Sequence, residues 1–147
     1  NTLDIIRHNL DLNGASQTTL IHGAVVGDNF DGDTLLFRVG KVFWGSSVAE
    51  ANSPSESLVE VPVLHFAHLL ATHRPHVVIL DIEGAEKYLF DQPWPDFVRH
   101  VIMELHPKKY SSSTVKRMVD CMSKSGLTYD PACSRGSLLG FKRVYEE

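Results

Sequence analysis

The sequence predicts an α/β protein built on a largely parallel sheet, and three observations support this. Short apolar runs typical of strands alternate with segments of helical periodicity. Two runs, residues 77–80 and 98–103, end in polar side chains, as parallel strands do at a ligand-binding edge. The last two runs, 127–129 and 137–145, are joined by a short loop with proline and glycine, and they predict an antiparallel hairpin at the sheet edge.

Length and composition indicate one domain with its own core. The chain has 147 residues, of which 43% are hydrophobic and 22% charged, as in globular proteins. The net charge of −4 argues against a nucleic-acid partner. No apolar run approaches the roughly 20 residues that cross a bilayer, and no signal peptide is visible. Cys121 and Cys133 are typical of reduced thiols, so we expect a cytoplasmic protein, with one disulfide as the open alternative.

The first half of the chain predicts one helix and three strands. The helix has a single apolar face, formed by Leu3, Ile6 and Leu10. It ends at the turn signal Asn13-Gly14. The strands are expected at residues 18–26, 34–39 and 41–44, the last two as a hairpin. Residues 45–57 are rich in small and polar side chains and predict a loop long enough to suggest a functional segment.

The second half alternates strands and helices. Strands are expected at residues 58–61, 77–80, 98–103, 127–129 and 137–145. Helices are expected at residues 64–72, 83–90 and 111–125. The last helix has the clearest signals, because serines precede it and Gly126 follows it.

Three carboxylates follow the 77–80 run. They are Asp81, Glu83 and Glu86, with Gly84 between them. A purely structural interpretation is that these acidic groups cap the N-terminus of the next helix. A functional interpretation is that they face a cleft, because polar groups at the C-terminal edge of a buried strand usually do.

Glu104 and His106 end the second run, and they alternate with Leu105, so we expect both side chains on one side of the strand. Such a pair can bind a divalent metal or transfer a proton, or it can simply form a hydrogen bond at the sheet edge. The sequence does not establish a metal site. If a metal ion is bound, the expected ligands are Asp81, Glu83 and Glu104.

Residues 81–86 (Asp-Ile-Glu-Gly-Ala-Glu) and the strand end Met103-Glu104-Leu105-His106 together resemble the FkbM family of S-adenosylmethionine-dependent methyltransferases. Members of that family carry an apolar strand into Asp-x-Glu-Gly-x-Glu, followed by a strand that ends in Glu. Upstream segments are similar in order: residues 9–14 to the helix after the family's second strand, 24–26 to its third strand, and 58–70 to a strand that leads into a short helix.

This resemblance implies a class I methyltransferase fold, with a Rossmann-like, mostly parallel sheet and an antiparallel closing strand. It implies methyl transfer from S-adenosylmethionine to an oxygen, often a hydroxyl of a sugar or another small molecule. It implies cofactor contacts at Gly23, Ala24 and Asp81. It places catalytic groups at Asp81, Glu83, Glu104 and His106, with Glu86 beside them on the acceptor side.

The family's Gly-rich loop and the acidic residue after its second strand have no counterpart in this chain, which begins at Asn1. We therefore expect residues 1–147 to be one methyltransferase domain whose N-terminal strands are missing, as part of a longer protein. A dimer that completes the sheet is the alternative.

His106 is the expected base for the acceptor hydroxyl, because an imidazole accepts protons near neutral pH. Asp81 is the alternative base, and a divalent cation held by the carboxylates is another way to activate the hydroxyl. Two other functions stay open: a non-catalytic methyltransferase-like binding module, and a Mg²⁺-dependent phosphoryl-transfer or hydrolytic enzyme. The chain contains neither a Gly-x-Ser-x-Gly motif nor a P-loop.

Overall fold

The structure is a computed structural model that describes residues 2–38, 47–48 and 58–145. Its helices are α1 (Thr2–Leu12), α2 (Phe66–His73) and α3 (Ser112–Lys124). Its strands are β1 (Ala24–Val26), β2 (Thr34–Arg38), β3 (Ser47–Val48), β4 (Leu58–His65), β5 (Val77–Leu80), β6 (His100–Glu104), β7 (Leu127–Tyr129) and β8 (Leu138–Arg143). The predicted strand at 41–44 and most of the predicted loop at 45–57 lie outside the described residues.

The first sheet has the strand order β1-β4-β2-β3. Strand β4 pairs in parallel with β1 and antiparallel with β2. It runs past Pro62, where the sequence predicted that it would end. The N–H of Val63 donates to the carbonyl of Asp33 on the β2 side. The backbone N–H groups of successive residues in a strand point toward opposite neighbouring strands, so the nitrogen of Pro62 points toward β1. Pairing between β4 and β1 begins at the next residue, Val63.

The second sheet has the strand order β5-β6-β8-β7. Strands β5 and β6 are parallel, with Leu80 opposite Met103, so the segments that follow these two strands leave the sheet at the same edge. Strand β8 is antiparallel to β6 and β7, which confirms the predicted closing hairpin. The predicted buried strand at 77–80 forms, but Val77 and Ile79 are 51% and 70% exposed, so it is buried on one face only.

The prediction of a mostly parallel sheet is wrong for the described residues, because both sheets are mixed. Only the pairs β1–β4 and β5–β6 are parallel there. Antiparallel neighbours need no long crossover connection. Strand β4 is antiparallel to β2, and the closing strand β8 is antiparallel to β6. The alternation of strand and helix patterns in the sequence does not reveal that these strands pair antiparallel.

The predicted helix at 83–90 is also wrong. Glu83 and Gly84 have φ angles of 54° and 97°, and consecutive left-handed residues do not belong to a right-handed helix. The N–H of Ala85 donates to the carbonyl of Ile82, and only a short 3₁₀ turn, Ala85–Tyr88, remains. Because of this departure from helical geometry, the side chains of the turn point in directions that a helix would not give them.

The core lies under the second sheet and joins both halves of the chain. Buried side chains of α2, β5, β6 and α3 form one cluster with Trp94, whose ring lies 4.9 Å from Phe66 and 5.1 Å from Phe90. Helix α3 confirms its prediction, with Ser111 as N-cap and Gly126 at φ 75°. Helix α1 forms as predicted but buries none of its residues. In the described ranges, no helix has the length and apolar character to cross a bilayer.

Candidate functional site

The candidate site lies where β5 and β6 end side by side. Asp81 follows β5 directly, and the turn after it carries Glu83 and Glu86. His106 lies two residues beyond the end of β6. The parallel register of the two strands therefore brings the carboxylates and the imidazole together, as the sequence suggested.

His106 and Glu86 form the buried side of the site. Glu86 is fully buried, with 0% of its side chain exposed, and its Oε1 lies 3.2 Å from Nδ1 of His106. The same Oε1 accepts a hydrogen bond of 3.0 Å from the N–H of Ile82. This bond holds the carboxylate against the end of β5, so Glu86 is a fixed neighbour of the imidazole.

Asp81 and Glu83 form the accessible side of the site. Nε2 of His106 lies 3.8 Å from Oδ1 of Asp81 and 3.7 Å from Oε2 of Glu83. The two carboxylates are 62% and 40% exposed, whereas the imidazole is 16% exposed. The left-handed backbone of Glu83 is what directs its side chain toward the histidine rather than along a helix. A ligand can therefore approach the ring from its Nε2 side.

Two polar atoms in the buried part of the site are not satisfied. Oε2 of Glu86 and Nδ1 of His106 are both buried and make no hydrogen bond. The 3.2 Å contact between these side chains is within ion-pair distance but is not aligned as a hydrogen bond. Three carboxylates thus face one imidazole, and among the described residues His106 makes their only ion pairs. Such an excess of negative charge favours a cationic ligand.

Tyr110 supports the histidine through a contact that the sequence did not predict. Its hydroxyl accepts a 2.7 Å hydrogen bond from the backbone N–H of His106. Burial raises the pKa of Tyr110, the bond from His106 lowers it, and the negative charge of Glu86 raises it further. The signal in the sequence was only a tyrosine four positions after the histidine, beyond a proline, and this spacing alone predicts no contact.

Lys109 packs against the turn that carries the carboxylates. A Cβ added at Gly84 would lie 2.8 Å from Cβ of Lys109, so this glycine permits a close approach as well as a φ of 97°. The loop after β6 and the turn after β5 therefore fit directly against each other.

The other predicted site residues lie apart from this group. Glu104 ends β6, and its Oε1 accepts a 3.3 Å hydrogen bond from the hydroxyl of Ser137. Ala24 pairs with Val63 in the first sheet. A Cβ at Gly23 would lie 2.6 Å from Cγ of Leu64, so the space beside Gly23 is filled by β4. The functional assignments of Glu104, Gly23 and Ala24 stay predictions.

A groove of about 250 Å³ lies on the other side of the 3₁₀ turn. Its lining includes Asp28, Phe66, Arg74, Trp94 and Phe97. Neither His106 nor the three carboxylates line it. The turn thus separates the groove from the charged site, because Tyr88 faces the groove while Glu86 faces the histidine.

The arrangement suits proton transfer at Nε2 of His106. In the neutral ring, a proton on Nδ1 would face the buried carboxylate of Glu86, and Nε2 would then be free to take a proton from a ligand. Asp81, Glu83 and His106 also form a group of metal-ligand type, since one donor atom of each lies within 4.8 Å of the others.

Comparison with known proteins identifies the family. A family model described as "Methyltransferase FkbM domain" matches residues 1–129, which include the whole candidate site. Neither a curated protein nor a solved structure matches the chain significantly. The match confirms the resemblance that residues 81–86 and 103–106 indicated.

Proposed function

This chain belongs to the FkbM methyltransferase family, and from that premise we propose that it transfers the methyl group of S-adenosylmethionine to a hydroxyl of a small molecule. The proposed site is the group formed by Asp81, Glu83, Glu86 and His106. The observation that carries the proposal is the orientation of His106, which has the buried carboxylate of Glu86 at Nδ1 and the more exposed carboxylates of Asp81 and Glu83 at Nε2.

Methyl transfer to an alcohol needs a base and an aligned acceptor. The acceptor oxygen must lie behind the methyl carbon, and its proton must leave as the new bond forms. Nε2 of His106 takes this proton in our proposal. Glu86 stabilises the resulting imidazolium at Nδ1, as the buried carboxylate does in a catalytic triad. Tyr110 keeps the backbone of the histidine in place through its 2.7 Å hydrogen bond.

The charge of the site fits S-adenosylmethionine on its accessible side. When bound, this cofactor supplies an electrophilic methyl group on a positively charged sulfonium. Asp81 and Glu83 offer exposed carboxylates that attract such a cation. Gly23 and Ala24 do not fit in the same way, because β4 fills the space beside Gly23. We therefore assign the cofactor's charged centre to Asp81 and Glu83.

The proposed acceptor is a neutral or cationic small molecule. A site with three carboxylates and one imidazole repels anions, and the net charge of −4 gives no support for a nucleic-acid substrate. The proposed compartment is the cytoplasm. Its support is that Cys121 and Cys133 are both free thiols.

The test is methyl transfer from radiolabelled S-adenosylmethionine to a panel of sugars and polyhydroxylated small molecules. We expect His106→Gln to lose about 10²–10⁴-fold in kcat, which is the usual contribution of a general base. His100→Gln is the matched control, because His100 is exposed at the opposite end of β6. Equal rates in the two variants would contradict the assignment of His106. Folded full-length protein that binds no S-adenosylmethionine would favour a non-catalytic binding module instead.

A further inference from the structure

We propose that Asp81, Glu83 and His106 form a binding site for a divalent first-row metal ion, with Glu86 fixing the histidine from behind. Binding of the ion does not depend on methyl transfer. Only the function that we give the ion rests on the function proposed above.

The spacing of the donor atoms is the first support. Nε2 of His106 lies 3.8 Å from Oδ1 of Asp81 and 3.7 Å from Oε2 of Glu83, and all three atoms lie within 4.8 Å of one another. Metal–ligand bonds of about 2.1 Å place two donors on one ion about 3–4.2 Å apart. The exposed carboxylates of Asp81 and Glu83 can close the remaining difference by small side-chain rotations.

The unsatisfied carboxylate behind the histidine is the second and independent support. Glu86 is fully buried, its Oε2 has no hydrogen-bond partner, and its Oε1 lies 3.2 Å from the ring of His106. A buried carboxylate without full compensation is costly. A divalent cation bound to Nε2 would add positive charge on the other side of the same ring. Because the ion takes the lone pair of Nε2, the ring proton must be on Nδ1, which faces Glu86.

This arrangement is the one that protein metal sites use to orient a histidine ligand. The ligand nitrogen binds the ion, and the other ring nitrogen donates to a carboxylate, which fixes the tautomer and makes the ligand more basic. His106 has this carboxylate in place, although the contact is not yet aligned as a hydrogen bond. We expect that the bound ion turns the ring into alignment.

The ligand set selects the kind of ion. Two carboxylate oxygens and one imidazole nitrogen favour Mn²⁺ or Zn²⁺ over thiolate-preferring ions such as Cu⁺. Three protein ligands leave at least one coordination position open, as catalytic metal sites do. In the open position an acceptor hydroxyl would lose its proton more easily. Asp81, Glu83 and His106 would then hold the ion in the metal-bound enzyme. In the metal-free enzyme the two carboxylates would face the cofactor's charged centre and His106 would be the base.

The experiment is a titration of chelator-treated protein with Mn²⁺, followed by electron paramagnetic resonance, with no cofactor or acceptor present. We expect one bound ion per chain. The variants Asp81→Asn, Glu83→Gln and His106→Gln should each weaken its binding more than tenfold. Glu86→Gln should weaken it about 10–100-fold, as other changes behind a metal ligand do. Asp96→Asn and His100→Gln, at exposed positions away from the group, are the matched controls.

A second measurement on the unmodified protein keeps the test independent of variant folding. Bound Mn²⁺ should broaden the imidazole proton resonances of His106 and leave those of His100 sharp. The absence of stoichiometric binding by Mn²⁺ and by Zn²⁺, or binding that the site variants leave unchanged, would overturn the proposal. Methyl transfer at full rate in chelator would overturn the function given to the ion and leave the proposed methyltransferase activity intact.

Discussion

Glu86 provides the sharpest test of the site, because charge and hydrogen bonding can be separated there. Glu86→Gln keeps an oxygen that can accept the 3.0 Å bond from the N–H of Ile82, but it removes the charge that faces His106. Glu86→Ala removes both. The two variants therefore affect fold stability and activity differently.

The magnitudes follow from the contacts. In Glu86→Ala, the donor on Ile82 loses its partner, which costs about 1–3 kcal/mol, and a buried cavity adds to this loss. In Glu86→Gln, the donor stays satisfied and an incompletely paired buried charge is removed, so we expect a change within about 1 kcal/mol. Both variants should lose at least about tenfold in kcat, because the imidazolium loses its stabilising carboxylate.

Urea unfolding measures the stability of the two variants, and methyl transfer at saturating S-adenosylmethionine measures kcat. The control is Asp96→Asn, whose carboxylate is exposed. Full kcat in Glu86→Gln would show that the charge of Glu86 has no function at His106. Equal destabilisation of the fold by Glu86→Gln and Glu86→Ala would show that the bond to Ile82 is not what holds this side chain. Either result would contradict the role given to Glu86.

Three other predictions concern residues around the site and in the core. Tyr110→Phe removes the acceptor for the backbone N–H of the site histidine. It should lower the free energy of unfolding in urea by about 1 kcal/mol and lower kcat without changing cofactor affinity. An unchanged kcat would show that Tyr110 has no role in the site. Gly84→Ala should destabilise the fold more than Gly136→Ala, because both have positive φ but only Gly84 has a neighbour within 4 Å of an added Cβ; equal losses of stability would contradict the close packing of this turn. Burial raises the pKa of the Cys121 thiol, whereas Cys133 is exposed, so one thiol per chain should react quickly with a disulfide reagent in native protein and two in urea.

The raised pKa of Cys121 also predicts how stability depends on pH. A thiol whose pKa is higher in the folded state keeps its proton there at a pH where the unfolded chain loses it. The contribution of Cys121 to stability is therefore constant below the ordinary thiol pKa of 9.0 and falls as the pH rises through it. Urea midpoints measured from pH 7 to pH 10.5 test this, with Cys121→Ala as the variant in which the decline should be smaller. A stability that rises over this interval would contradict the sign.

Local signals made parts of the fold predictable. Helix α3 begins and ends as predicted, since its cap serine and its terminal Gly126 act within one turn of the chain. Strands β5, β7 and β8 follow from short apolar runs between turn residues. Strand direction was not predictable in the same way, because pairing joins residues far apart in the chain. The β2–β4 ladder, for example, joins Thr34 to Pro62.

The site was predictable as a set of residues but not as a geometry. Parallel strand ends brought Asp81, Glu83, Glu86 and His106 into consideration from the sequence alone. The arrangement around the imidazole depends on the left-handed backbone of Glu83 and Gly84, which a helix prediction hides. Strand alternation suggested a pairing of Glu104 with His106, whereas the contact that Glu104 makes is with Ser137 of the closing hairpin.

Calorimetric binding of S-adenosylmethionine and of S-adenosylhomocysteine, with chelator present, is the most direct test of the proposed cofactor site. The first compound carries a positive sulfonium and the second a neutral thioether. We expect that the full-length protein binds both, and that Asp81→Asn weakens binding of S-adenosylmethionine about fivefold more than binding of S-adenosylhomocysteine, since exposed opposite charges about 4 Å apart interact by about 1 kcal/mol. Asp96→Asn should change neither affinity. Failure of the folded full-length protein to bind either compound, or equal weakening of both by Asp81→Asn, would contradict the assignment of the cofactor's charged centre to this site.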